Sequence, residues 1–285
     1  MKRSQIPRIL SACFLTTGLL MGCQNDQMVT PTQTDRVTEN DENAKTLADV
    51  KLVKNADDTL EYVKFGKFAD KLAKRSNAYT YTEYTYDDSP GNLLITSKKY
   101  SKANNKLVHH KTYLIVNGRC ISSKDITQQY SYNYKYNALG SLVEIKRYTA
   151  LHTLTRQFSY KPILLNKQRL DKITDIGEAG PFAEYRFTYS SIPDKYPLNP
   201  LSTEQEMDKY LNIFGTFSDL LVQNIVKDEL EGPDGYMPSN NYTYTLNADG
   251  YVTSSSNLYY PDINHSNYSE VVTEIREYLN VLQIP

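Results

Sequence analysis

The sequence predicts an all-β protein: an antiparallel hairpin meander forming one curved sheet or a partly closed barrel, with one short helix. Three observations predict it. Tyrosine is abundant, at 25 residues against no tryptophan, and it recurs at every second position. The tyrosine runs end in turns that carry Asn or Asp and then Gly. Apolar residues at helical spacing are concentrated in one segment between the runs.

The chain begins with a different kind of element. Lys2, Arg3 and Arg8 form a positive n-region, and Ile9 to Leu20 form a short apolar run. At about 1.5 Å per residue that run reaches only about 18 Å as a helix, against roughly 30 Å of bilayer hydrocarbon. Residues 1–22 therefore read as a signal peptide rather than a membrane span. The closing Leu20-Met21-Gly22-Cys23 resembles the lipobox of bacterial lipoproteins, and the resemblance implies cleavage before Cys23 and lipidation of its thiol, palmitate among the acyl chains. More than one chain, at about 0.8 kcal/mol per buried methylene, gives stable anchoring. Residues 24–45 are polar and aperiodic and read as a flexible tether. Gln24-Asn25-Asp26 keeps aspartate away from the position after the cysteine. By analogy with known sorting rules this suggests the outer membrane, on either of its sides.

Removing Lys2, Arg3 and Arg8 takes the formal net charge from −1 to −4. A mixed, mildly acidic surface argues against nucleic acid as a partner. Of three cysteines, Cys13 leaves with the signal peptide and Cys23 is acylated, so Cys120 stands alone and reads as a small buried apolar residue.

Residues 46–285 suit one domain of about ten to twelve strands. Asp57-Asp58 and Asn104-Asn105 mark turns between alternating runs. Tyr79-Thr-Tyr81 and Tyr84-Thr-Tyr86 place their rings on one face each, and Asp87-Asp-Ser-Pro-Gly91 turns the chain into Leu93-Leu94-Ile95. Asn117-Gly118 predicts a two-residue hairpin of the primed type. Tyr130-Ser-Tyr132-Asn-Tyr134-Lys-Tyr136 leads into Asn137-Ala-Leu-Gly140 and Leu142-Val143. Tyr242-Thr-Tyr244-Thr-Leu246 leads into Asn247-Ala-Asp-Gly250 and Val252.

This aromatic-x-aromatic-Asn-x-x-Gly-x-Leu/Val pattern resembles the YD-type β-repeats of bacterial surface proteins. The whole layout is similar to tyrosine-rich lipoproteins of uncharacterised function from Bacteroidota, and it implies a fold but no catalytic residues. The Pro197-to-Gly215 segment matches that family's interruption before its final hairpins. The longer turn at 87–91, and Leu246 where a third tyrosine would stand, are departures.

Within that interruption, Ser202 and Thr203 each precede an acid or amide at capping-box spacing. Met207, Tyr210, Leu211 and Phe214 then follow at helical spacing, and Gly215 stops the run. A helix over 203–214, plugging one side of the sheet, is predicted. For 269–282 both periods fit, and the repeat context favours a closing strand.

The chemistry-bearing residues form no catalytic set. His109, His110, His152 and His265 lack metal-ligand spacing, and His109 and His110 point to opposite faces of a strand. No nucleophile elbow, phosphate loop or dinucleotide fingerprint occurs. Asn247-Ala-Asp249-Gly250 lacks the acids of a calcium loop, and Asp228, Glu229, Glu231 and Asp234 read as a solvated loop. No cofactor and no metal are expected. The tyrosines are the one constellation with binding potential: Tyr81, Tyr132, Tyr134, Tyr136, Tyr242 and Tyr244 form a possible ligand-contacting face, set against packing as the sheet's own ladder. The expected function is a membrane-anchored, non-catalytic binding or structural lipoprotein of the envelope, with a glycan or protein partner. The alternatives are a half-barrel carrier of lipid or another apolar ligand and, least favoured, an envelope hydrolase.

Overall fold

The computed structural model describes residues 50–89, 91–164, 167–199, 206–230, 237–261 and 270–280. The signal peptide, Cys23 and the tether lie outside them. Sixteen strands follow in order. They are β1 Val50–Asn55, β2 Asp58–Tyr62, β3 Leu72–Ser76, β4 Thr80–Asp87, β5 Leu93–Ser101, β6 Leu107–Val116, β7 Arg119–Asp125 and β8 Tyr130–Tyr136. The second half comprises β9 Leu142–Tyr148, β10 Thr153–Leu164, β11 Lys167–Gly177, β12 Gly180–Pro193, β13 Leu220–Glu229, β14 Ser239–Leu246, β15 Val252–Tyr260 and β16 Glu270–Asn280. Every strand pairs antiparallel with its sequence neighbours, and β1 also pairs with β16 (Val50 opposite Asn280), so the sheet is a closed barrel. The expectation of a partly closed sheet of ten to twelve strands is corrected by that last ladder. Closure leaves no unpaired edge for another chain to join. The strand reading of 269–282 holds in β16.

Period two sorts each strand into two faces. On β8, Tyr132 and Tyr134 are buried while Asn133 and Lys135 are exposed. On β4, Thr82 and Tyr84 are buried while Glu83 and Thr85 are exposed. The inward face collects the core: Leu52, Ile95, Tyr113, Tyr132, Leu142, Ile173 and Phe187, among others.

The tyrosines have a structural task that recurs around the wall. Strands β1, β3, β7, β9, β11 and β13 each carry a one-residue register shift near one end. Such a bulge takes a residue out of the ladder and frees its backbone groups. In every case an inward tyrosine on the next strand donates its hydroxyl to the carbonyl beside the shift. Tyr62 reaches Leu52, Tyr86 reaches Leu72, Tyr136 reaches Cys120, Tyr160 reaches Leu142, Tyr189 reaches Leu170 and Tyr244 reaches Val222, all at 2.6–2.8 Å. A carbonyl buried without a partner costs about 1–3 kcal/mol. Phenylalanine fills the same space but supplies no donor, which explains the preference for tyrosine.

The repeated turns close as the sequence predicts. In both 137–141 and 247–251, the Asn side chain accepts from the backbone N–H four residues on, at 3.0 and 2.9 Å. Gly140 and Gly250 supply φ near +80°. Asn117 and Gly118 both have positive φ, as the primed hairpin requires.

The predicted helix is absent from 206–214, and 203–205 lie outside the described residues. The segment runs irregularly, and Met207, Leu211, Phe214 and Phe217 are buried in the hydrophobic core. Helix signals lost because the wall satisfies this backbone better than its own turns would. Tyr134 donates its hydroxyl to the Glu206 carbonyl at 2.6 Å, and the Lys111 ammonium donates to the same oxygen at 3.1 Å. The bulged wall also donates directly: Cys120 N–H to Ile213 O at 2.8 Å and Leu170 N–H to Phe217 O at 2.7 Å. A helix would leave those wall donors without acceptors. Gly215 is therefore a point of close approach rather than a helix stop. A Cβ there would lie 2.6 Å from the Gly140 carbonyl oxygen.

Candidate functional site

The six tyrosines of the predicted ligand face are placed in three different environments. Tyr81 points outward, stacked on Tyr100 at 5.1 Å with the Lys74 ammonium over its ring. Tyr132 and Tyr134 are buried, and Tyr136 is half-buried; they form the inner wall against which the 206–217 segment packs. Lys111 sits over the Tyr132 ring at 4.3 Å, and the Tyr134 ring lies 5.2 Å from Phe214. Only Tyr242 and Tyr244 line a cavity.

That cavity, of about 370 Å³, lies between the inner wall of β13–β16 and the segments around 194–199 and Lys209. The Tyr242 and Tyr244 rings stand side by side, 6.5 Å apart and within 17° of parallel. Leu198, Leu221, Val222, Ile225 and Val272 complete the apolar part of the lining. Its polar lining comprises Asp194, Asn199, Lys209, Ser255, Asn257, Glu274 and Arg276, with Asn257 the cross-strand neighbour of Tyr242. Lys209 and Glu274 form an ion pair at 3.6 Å. Burial lowers the Lys209 ammonium from its ordinary value, with Glu274 opposing. Burial raises the Asp194 carboxyl, with Arg276 pulling it back. Asn257 donates to Asn240 at 2.9 Å. Its own Oδ1, and Nε and Nη1 of Arg276, are buried without a hydrogen-bond partner among the described residues. Two donors and one acceptor are thus carried, buried, by two of the lining side chains, with the Tyr278 phenol also interacting with Arg276 along the same strand.

Sequence reading picked out the tyrosine half of this site and missed the polar half. Period two over β16 carried the signal: Val272, Glu274, Arg276 and Tyr278 share one face, and the register puts Glu274 opposite Ser255 and Val272 opposite Asn257. Lys209 was assigned to the helix that does not form.

Other polar clusters are structural in geometry. Arg156 forms a bidentate pair with Asp175 at 2.6 and 2.9 Å and also contacts Glu206, tying β10 and β11 to the inner segment. Tyr84 donates to Asp208 at 2.7 Å. His109 and His110 do face opposite sides, and His109 pairs with the buried Asp125 at 2.7 Å. Cys120 is buried, and burial pushes its thiol up to about 12, the direction of an inert rather than nucleophilic sulfur. Among the described residues no group of three or more His, Cys, Asp or Glu is arranged to hold a metal.

No protein-family model and no curated protein matches the chain. Among solved structures it is similar to a porin-like protein from Bacteroides uniformis ATCC 8492, at 17% identity over 80% of this chain and 98% of that one, TM-score 0.44. A porin-like protein from Bacteroides vulgatus ATCC 8482 aligns over the same shares at 12% identity, TM-score 0.49. The TcdB2-TccC3-Cdc42 structure aligns over 79% of this chain and 12% of its own, at 14% identity and TM-score 0.33. The barrel described above rests on the chain's own strand register.

Proposed function

We propose that this chain is a lipid-anchored, non-catalytic binding protein of the cell envelope whose barrel stands in water, with the β13–β16 cavity as its binding place. One observation carries the placement in water: the outer face of the barrel is polar. Glu83, Lys98, Lys124, Lys135 and Arg186 all point outward and are exposed, among many threonines and serines. A bilayer-spanning barrel presents an apolar band outward, and a basic group there costs about 2–4 kcal/mol at mid-membrane. The four basic residues alone would impose about 8–16 kcal/mol at that depth. On these strands the arrangement is the reverse: Tyr84, Ile95, Tyr134 and Phe187 turn inward, and the charged residues just named turn outward. Attachment then falls to lipid on Cys23, as the lipobox-like tetrapeptide implies, and nothing in the reading asks the strands to cross a membrane.

The interior supports binding over conduction. Phe214, Phe217, Met207 and Leu211 are buried against the inner wall and fill interior space among the described residues. The same filling gives the lipid-carrier alternative little support, since an acyl tail needs the apolar space those side chains take.

The test is fractionation. Cys23→Ala should abolish palmitate labelling and leave unprocessed precursor, and whatever processed, unacylated chain forms should be extractable from membranes by alkaline carbonate. Labelling that persists in the variant removes the anchor. A fully processed variant with no acyl group that still resists carbonate extraction would mean the barrel itself is embedded.

A further inference from the structure

We propose that the β13–β16 cavity binds a saccharide, one or two sugar rings in size, with a ring face on Tyr242 and Tyr244 and hydroxyls on Arg276 and Asn257. The inference rests on the binding reading above and names the ligand class for that site.

Four features of the chamber converge on this class. First, it has the size of a small-ligand site, near the lower end of the usual range of about 300–1,000 Å³. Second, the two phenol rings are held nearly parallel, 17° apart with centroids at 6.5 Å, and offer apolar ring surface that the C–H face of a sugar ring can meet. The Tyr244 hydroxyl is tied to the Val222 carbonyl at 2.6 Å, so that ring is held in place before any ligand arrives.

Third, the unsatisfied polar atoms are of both kinds. Arg276 offers two buried donors and Asn257 one buried acceptor. A carboxylate would satisfy only the donors and an ammonium only the acceptor. A hydroxyl both donates and accepts, so adjacent sugar hydroxyls satisfy the two together. Each group left unmet in a buried site costs about 1–3 kcal/mol, which makes pairing by a ligand favourable. Fourth, the formal charges balance: Lys209 pairs with Glu274 at 3.6 Å, and Asp194 is the acid that acts on Arg276. A balanced chamber suits an uncharged polyol better than an ion. The β10–β12 rim recess, of about 530 Å³, is lined by Tyr189 and charged side chains without a parallel ring pair.

The experiment uses the full processed, detergent-solubilised protein. It is screened on a glycan array and then titrated calorimetrically with the best neutral mono- or disaccharide, with an acidic sugar, a free amino acid and a fatty acid alongside. Two variants are compared. Val272 lines the cavity yet is 44% exposed, so Val272→Trp fills the mouth with little demand on the core. Arg276→Lys keeps the charge and removes the planar donor fork. Circular dichroism confirms that both remain folded.

Neutral saccharide binding that falls at least tenfold in Val272→Trp, and about tenfold in Arg276→Lys, supports the proposal. Saccharide binding that Val272→Trp leaves unchanged overturns the site, while the chain remains a binding protein. Preferential, Val272→Trp-sensitive binding of the amino acid, the fatty acid or the acidic sugar overturns the ligand class and keeps the cavity. Failure of every compound to bind overturns the saccharide inference. If crosslinking in intact envelopes also recovers no partner, the underlying reading falls with it.

Discussion

Raising the pH should unfold this barrel abruptly, near pH 10.5. Burial holds eleven inward or inner-segment phenols far above their ordinary value of 10.0: Tyr62, Tyr84, Tyr86, Tyr113, Tyr132, Tyr134, Tyr136, Tyr160, Tyr189, Tyr210 and Tyr244. In the unfolded chain each ionises near 10, while in the barrel each keeps its proton. The folded value is the higher one, so the stabilisation is complete below pH 10 and is lost progressively above it. At pH 10.5 ionisation favours the unfolded state by about 0.8 kcal/mol per tyrosine, or about 9 kcal/mol for the set, comparable with a typical folding stability of about 5–15 kcal/mol. At pH 11 the set reaches about 15 kcal/mol, beyond most domains. The assay follows phenolate absorbance at 295 nm and far-ultraviolet circular dichroism along one pH series. The two signals should change together, with on the order of ten protons released in a single cooperative step. Gradual ionisation centred on pH 10 with the strand signal intact to pH 12 would refute the shared buried interior.

Two further outcomes test the inner segment. Lys111, fully buried, has its ammonium lowered from 10.5 to about 8 by burial, with nearby carboxylates only partly compensating. The unfolded chain holds that proton more tightly, so the Lys111 contribution to stability should become less unfavourable as pH rises from 8 to 10. The wild type should gain on Lys111→Met by up to about 1.4 kcal/mol per pH unit in that window, measured by urea unfolding; parallel pH profiles would sink the argument. Gly215→Ala meets the Gly140 carbonyl at 2.6 Å with φ at +82° and should cost about 2–4 kcal/mol, lowering the melting temperature by roughly 5–10 °C. Gly118→Ala, with positive φ but open space around it, should cost only about 1 kcal/mol. Equal losses at the two sites would mean that the segment does not press on the 137–141 turn.

Local rules made much of this molecule legible in its sequence. Alternating tyrosines specified strands because side chains in extended backbone must alternate in direction, and Asn137…Gly140 and Asn247…Gly250 specified turns because each supplies its own hydrogen bonds and a positive φ. The opposed directions of His109 and His110, and the burial of Cys120, follow from the same alternation. Tertiary structure alone decided what no local rule encodes. Whether β16 meets β1 depends on sixteen accumulated registers and bulges, not on any one hairpin. Helical spacing over 203–214 described a real apolar set, Met207, Leu211 and Phe214, but its backbone conformation was settled by donors on the facing wall: Tyr134, Lys111 and Cys120. Which tyrosines are covered and which line a cavity was settled the same way. Tyr132 and Tyr242 look alike in sequence, yet the inner segment covers the first and leaves open space beside the second. Periodicity fixes which way a side chain points; only the assembled barrel fixes what it finds there.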